Sequence, residues 1–430
     1  LIYTIPFAGI AQLVLVWVAT ARAGLRIRPH FPRPSAEMAQ LLRVALPAAL
    51  AMGVVQINLV VGQLVASDYE KAVSWLYAAD RLYQLPLGVV GIISPWNFPI
   101  NLSFGPLASV FAAGNSAMLK PSELTPKTSA LLAELVARYF APEELTLVLG
   151  DAEVGKAFSA LPFNHLVFTG STAVGKHIMR AAADNLVPVT LELGGKSPAM
   201  VDEDADITQA VERTLTVKTF NVGQICISPD YMMIPENKVD SFVEAAKTFV
   251  QHSFPSMQDN PDYTSIISDN HYKRLIGLLE DAKKKGANVI SLAPEGEVNY
   301  DDKSRKIAPF LIFNVTDDMD IMQEEIFGPL LPVKTYAKPE EAIAYINNNP
   351  RPLAAYYFGD DTERQKAFAR NTISGGLVIN DAMTHVSVET LPFGGIGPSG
   401  MGAYHGIHGF KRFTHEKAVV LQSKEGASGK

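Results

Sequence analysis

Residues 165–183 read HLVFTGSTAVGKHIMRAAA, and the reading of this stretch decides the fold. HLVF has the apolar, β-rich character of a short strand, the residues from Ala173 suit a helix, and GSTAVG, Gly170 to Gly175, makes the turn between them. A strand passing through a glycine turn straight into a helix is the unit from which α/β proteins with parallel sheets are built. The free N–H groups and the dipole at such a helix start can receive a phosphate. Paired glycines at a strand-to-helix turn also occur for steric reasons alone, so the turn by itself leaves both readings open.

Outward from this stretch the alternation repeats. VVGIIS from Val89, AMLK from Ala117, LTLVLG from Leu145 and VPVTLEL from Val187 read as strands, and residues 125–140, 173–183 and 206–220 as helices. Residues 330–336 and 353–358 read as strands of a second domain. KPSE, Lys120 to Glu123, follows one strand directly: it is a helix start with Ser122 as N-cap, and a lysine–glutamate pair able to hydrogen-bond a ribose. No internal repeat or low-complexity tract interrupts the pattern, and the tail from Ser423 reads as loose.

The chain has 430 residues and a net charge of −7, room for two or three domains and a balance that argues against a nucleic-acid partner. Its single cysteine, Cys226 in NVGQICIS, rules out an internal disulfide framework and fits a reducing compartment. A lone free cysteine is more often a small buried hydrophobe than a nucleophile. Here, however, LELGGKSP places Glu192 34 residues before it, and SPWNFP supplies Asn97 further upstream.

Residues 1–92 differ from the rest: they hold seven Lys/Arg against four Asp/Glu. Residues 1–21 and 44–67 carry no charge, and each run is near the ~20 residues that cross a bilayer. Arg22, Arg26, Arg28, His30 and Arg33 lie between them and read as a basic cytoplasmic loop. A secretory signal would place its basic residues before the apolar run. The start at Leu1 reads as that of a fragment or a processed chain.

Two resemblances follow from these motifs. From LLRVALPAAL to ADRLYQLPLGVVG the N-terminal part resembles a few helices of the lipid II flippase family. From about Val89 to the end, SPWNFP, KPSE, GSTAVG, LELGGKSP, GQICIS, EEIFGP and LPFGGIGPSGMGAYHG in that order resemble the aldehyde dehydrogenase family. HVSVETLPFGG and YHGIHGFKRFTHEK are similar to its class 3 branch, especially coniferyl aldehyde dehydrogenases. The resemblance implies an aldehyde dehydrogenase-like α/β fold, a Rossmann-like NAD(P)-binding domain truncated at its N-terminus plus an α/β catalytic domain, behind an α-helical, transmembrane-like segment. The implied divisions are 1–92, 93–195, 196–405 and a C-terminal tail with an oligomerisation strand, 406–430.

The same resemblance implies a chemistry. The Cys226 thiolate attacks an aldehyde to give a thiohemiacetal. The Asn97 amide and the Cys226 backbone N–H hold the oxyanion, and Glu192 activates the water that cleaves the resulting thioester. Lys120 and Glu123 hold the adenosine ribose of NAD or NADP, and Gly170, Ser171 and Gly175 its phosphates. Glu325 holds the nicotinamide ribose, and Phe327 packs against the ring; Trp96 and His385 border the substrate channel. No metal is implied. The partners are a small aromatic or long-chain aldehyde and a second copy in a homodimer, joined through a strand at 418–422. The enzyme part is placed in the cytoplasm, with residues 1–67 a membrane contact and the bacterial inner membrane the alternative.

Where relatives carry N-terminal helices and strands, this sequence has flippase-like residues joined near Leu87 to Ile92, at a GVVGI shared by both families. The join reads as a gene-calling or assembly error rather than a natural fusion. It predicts uncovered apolar surface and impaired folding or activity. A flippase fragment and an inactive fusion that only binds a dinucleotide are the two competing readings.

Overall fold

The computed structural model describes residues 84–419; the two uncharged runs, the basic loop and residues 420–430 lie outside them. Two sheets dominate. The first has six strands in the order Gly400–Met401, Val189–Glu192, His165–Thr169, Val89–Ile93, Ser116–Lys120, Leu145–Leu147, all parallel except the two-residue edge strand Gly400–Met401. Both faces are covered, and the 165–169 strand shows how. Val167 joins a core with Val90, Ile92, Leu107 and Val110, whereas Leu166 and Phe168 join a separate core with Phe158, Ile178 and Ala182. Successive side chains of a strand point to opposite faces, so a continuous apolar run is what a strand sandwiched between helices requires.

Two of the helices that cover these faces begin with side-chain caps, whereas the N-cap read at Ser122 is corrected: that helix starts at Pro126 behind Thr125, which makes no capping hydrogen bond. Ser171 caps Thr172–Ala183, its Oγ accepting from the Val174 N–H at 3.4 Å, and Asp151 caps Ala152–Ser159 by accepting from the N–H groups of Glu153 and Val154. The helices read at 125–140, 173–183 and 206–220 are observed at Pro126–Tyr139, Thr172–Ala183 and Ile207–Thr219.

The second sheet has seven strands in the order Gly376–Ile379, Ala354–Phe358, Pro198–Val201, Tyr231–Pro235, Leu330–Tyr336, Phe310–Phe313, Asn288–Ser291, parallel except for the last. It lies in the largest core, which includes Met200, Val201, Met232, Ile234, Leu331, Val333, Tyr356 and Phe358. Only residues 193–197 connect Val189–Glu192 of the first sheet to Pro198–Val201 of the second. The carboxyl end of one sheet therefore leads directly into the amino end of the other.

A two-stranded pair closes the chain on itself. Gln84–Pro86 runs antiparallel to Thr414–Glu416, which follows the helix Gly406–Arg412. This corrects the reading of residues 406 onward as a tail: Phe413 is fully buried, and Asn115 donates to its carbonyl at 2.8 Å. Residues 417–419 are not in a strand, and the rest of the strand read at 418–422 lies outside the described residues. No helix among the described residues is long and apolar enough to cross a membrane.

Candidate active site

Glu192 is the last residue of its strand, paired in register with Thr169 on one side and Gly400 on the other. Its side chain is 2 % exposed. Tyr404 donates its hydroxyl to Oε2 at 2.8 Å, while Oε1 is buried with no partner among the described residues. Burial pushes the carboxyl up to about 8, against the lowering effect of the tyrosine hydrogen bond.

Cys226 is half-buried in a tight turn closed by the Ser228 N–H to the Ile225 carbonyl at 3.0 Å. The approach to this turn is strained. Asn221, Val222 and Gly223 have φ of 49, 54 and 70°, and a left-handed β-branched valine is a rare conformation that only surrounding structure can maintain. Gly223 has no freedom to carry a side chain, since a Cβ would come within 2.5 Å of the Gly328 carbonyl oxygen. Burial raises the Cys226 thiol well above the ordinary thiol range, and the Glu192 and Glu325 carboxylates push it the same way. The backbone N–H groups of Cys226 and Ile227 oppose the shift.

Asn97 lies in the loop after Val89–Ile93, and its Nδ2 donates to the Gln224 carbonyl at 3.0 Å. One amide N–H is thus used to hold the side chain beside the cysteine turn, and the second is left for a ligand oxygen. Gln224 is buried and ties the turn down: its Nε2 donates to the Asn221 and Ser265 carbonyls, and its Oε1 accepts from the Ile267 N–H at 3.0 Å. Asn97, Phe98, Phe220, Asn221, Phe254 and Met383 line part of a cavity of about 710 Å³, and two of them, Asn97 and Asn221, donate to the Gln224 carbonyl.

Glu325 is positioned by its neighbours' backbone. Lys196 pairs with Asp230 at 2.5 Å and donates to the Glu324 carbonyl at 3.0 Å, and the other Asp230 oxygen accepts from the Ile326 N–H at 2.9 Å. Burial and then the Asp230 charge push Glu325 up to about 8. Its carboxyl fills the space a Cβ on Gly194 would need, which explains the first glycine of LELGGK. Phe327 meets Trp96 edge-on with ring centroids 5.5 Å apart.

Lys120 ends its strand buried, with Nζ 3.1 Å from Glu123 Oε2. Gly170 and Gly175 both have packing reasons to be glycine: a Cβ would strike the Phe168 ring at the first and the Leu193 side chain at the second. Ser171 and the helix start it caps therefore carry the phosphate reading of this turn. The donor set fits a dinucleotide: an open helix N-terminus for phosphate, and a lysine–glutamate pair for ribose hydroxyls. His385 lies in the short helix Thr384–Ser387. It packs on Phe393 and near Tyr356, both ring nitrogens are buried without partners, and burial holds it down to about 4, so it is neutral at working pH. No His/Cys/Asp/Glu cluster able to hold a metal occurs among the described residues.

Sequence reading did not single out Tyr404, Gln224, Thr169, or the Lys196–Asp230 pair. The only local signals were a tyrosine at the end of a glycine-rich segment and a glutamine in an otherwise apolar run.

Two parallel sheets joined end to end, with a capped glycine turn on one and a cysteine turn opening the other, describe an α/β dinucleotide-dependent oxidoreductase. The profile of the aldehyde dehydrogenase family matches residues 50–419, and that of lipid II flippase MurJ matches residues 1–96. The chain belongs to the aldehyde dehydrogenase family. It is 62% identical over 351 residues to coniferyl aldehyde dehydrogenase of Pseudomonas sp. strain HR199, covering 82% of this chain and 73% of that one. A probable coniferyl aldehyde dehydrogenase of Caulobacter vibrioides is 54% identical over 355 residues, with 82% and 73% covered. Among solved structures, the substrate-bound state of Staphylococcus aureus AldH superposes with a TM-score of 0.76 at 41% identity, covering 80% of this chain and 74% of that chain. Mycobacterium tuberculosis aldehyde dehydrogenase complexed with NAD+ gives 0.70 at 34% identity, with 79% and 70% covered. The protein is an NAD(P)-dependent aldehyde dehydrogenase, and the flippase reading is not favoured. The family match starts at residue 50, upstream of the boundary read at 89, so the two profiles overlap over residues 50–96.

Proposed function

We infer that this enzyme oxidises an aromatic aldehyde of the coniferyl type to its acid through a thioester on Cys226. The observation that carries the mechanism is the pairing of a cysteine in a strained turn with a buried carboxyl whose second oxygen is free. Support for the substrate class comes from the identity to coniferyl aldehyde dehydrogenases and from the aromatic rings of the cavity, where Phe98 and Phe220 stand 5.9 Å apart. Residues 93–195 and 196–405 act as cofactor and catalytic domains, in a cytoplasmic setting where thiols stay reduced.

The Cys226 thiol first gives its proton to solvent water, and its sulfur adds to the aldehyde carbon. The free N–H of Asn97 and the Cys226 backbone N–H hold the oxygen that becomes negative. Lys120, Glu123, Ser171, Glu325 and Phe327 are the residues that would hold NAD(P), which supplies a hydride acceptor for the aldehyde carbon. The carbon is left as a thioester of Cys226. Glu192 then takes a proton from water at Oε1 while the water oxygen adds to the thioester carbon. Breaking the C–S bond releases the acid and restores the Cys226 thiolate.

The test is NADH formation by the full chain with coniferyl aldehyde, beside Cys226→Ala. The parent is expected to turn over, with the variant at least about a thousandfold slower. An active Cys226→Ala would refute the nucleophile, and a parent that prefers acetaldehyde would refute the substrate class.

A further inference from the structure

We propose that Tyr404 is the positioning residue for Glu192: its hydroxyl holds Oε2, so that Oε1 alone faces the thioester and its water. The proposal rests on the reading of Glu192 as the deacylating base. Both side chains are 2 % exposed, and the hydrogen bond between them is 2.8 Å long. With Oε2 engaged and Oε1 buried and unpartnered, the carboxyl has one orientation and one free acceptor.

Tyr404 is itself fixed from three directions. Ser109 Oγ donates to its carbonyl at 2.8 Å, and a Cβ on Gly409 would collide with the same carbonyl oxygen, so the helix Gly406–Arg412 sits directly on it. The Tyr404 ring belongs to the core with Leu107, Val110 and Phe413. The edge strand Gly400–Met401 pairs with Glu192 and Leu191, which puts Tyr404 a few residues further along the same connection. The ring would be needed for packing in any case, but nothing in that core requires the hydroxyl. A phenylalanine would fill the space equally well.

The titratable groups around this carboxyl come from several elements. Cys226 faces it from the nucleophile turn, and Tyr404 from the segment after the edge strand. Glu325 reaches Cys226 from the second sheet, with Asp230, Lys196 and Lys218 behind it. The Thr169 hydroxyl, on the neighbouring strand, sits beside the Tyr404 oxygen. Of these, only Tyr404 hydrogen-bonds the Glu192 carboxylate. It therefore favours the ionised, proton-accepting form, and its loss should move the carboxyl further up.

The probe is p-nitrophenyl acetate, an activated ester that acylates a thiol without cofactor. The burst of nitrophenolate reports acylation of Cys226, and the steady rate reports hydrolysis of the acetyl-enzyme. Tyr404→Phe is expected to keep the burst, to slow the steady rate roughly tenfold, and to shift its pH limb upward. In a Glu192→Gln background, Tyr404→Phe should add nothing further. Replacing Tyr404 by 3-fluorotyrosine, equal in shape but a stronger donor, should shift the limb downward, and it serves if the phenylalanine variant does not fold. An unmoved limb, or a Tyr404→Phe loss that persists in full beside Glu192→Gln, would overturn the positioning role. A Glu192→Gln enzyme that deacylates at the parent's rate would instead remove the reading of Glu192 as base.

Discussion

Cys226 and Glu192 belong to one reaction, yet the fold places them by opposite means. Glu192 sits on regular structure: an in-register strand, paired on both sides, its carboxyl sealed in the interior. Cys226 sits on irregular structure, after three consecutive left-handed residues, in a turn held by side-chain amides from Asn97 and Gln224. The difference follows from what each group must do. A base is tuned by its surroundings, and a rigid buried strand end keeps a carboxyl's environment constant. A nucleophile must project from the backbone at a set angle, which a strained turn provides when the structure around it is firm.

If this contrast is real, damage to the turn and damage to the strand end should read out differently. The largest effect is expected at the nucleophile itself, the loss of turnover in Cys226→Ala already described. Next comes Gly223→Ala, which puts a Cβ against the Gly328 carbonyl at a φ of 70°. It should cost about 1–3 kcal/mol of stability, measured by denaturant titration, and should slow alkylation of Cys226 by iodoacetamide. Unchanged stability and labelling would mean that the turn is not held as described. The smallest effect is on pH. Glu192 must be ionised to take a proton, and burial has raised it to about 8. Turnover should therefore rise with pH through a limb near that value, and Glu192→Gln should abolish the limb. A rate flat across this range would break the link between the strand-end environment and catalysis.

Much of this was legible in the sequence, for a physical reason. A strand buried on both faces is largely apolar, so HLVF, AMLK and VPVTLEL announced themselves, whereas the cap read at Ser122 failed because that helix begins only at Pro126. The motif cysteine, glutamate and asparagine were likewise found in one place. What local pattern could not show were contacts between residues far apart in the chain. Tyr404 meets Glu192 across 212 residues, and Asn97 meets Gln224 across 127. The glycines were legible as glycines but not as to cause. Gly170 and Gly175 answer to Phe168 and Leu193, and Gly194 makes room for Glu325, a residue of the opposite sheet's connection.

The central claim is a division of labour, with acylation on Cys226 and deacylation by Glu192. The most direct measurement is rapid-mixing NADH formation by Glu192→Gln with coniferyl aldehyde and NAD. The account predicts a single burst of about one NADH per active site followed by almost no turnover, because the acyl-enzyme forms but its water cannot be activated. Sustained turnover at the parent's rate, or no burst at all, would contradict it.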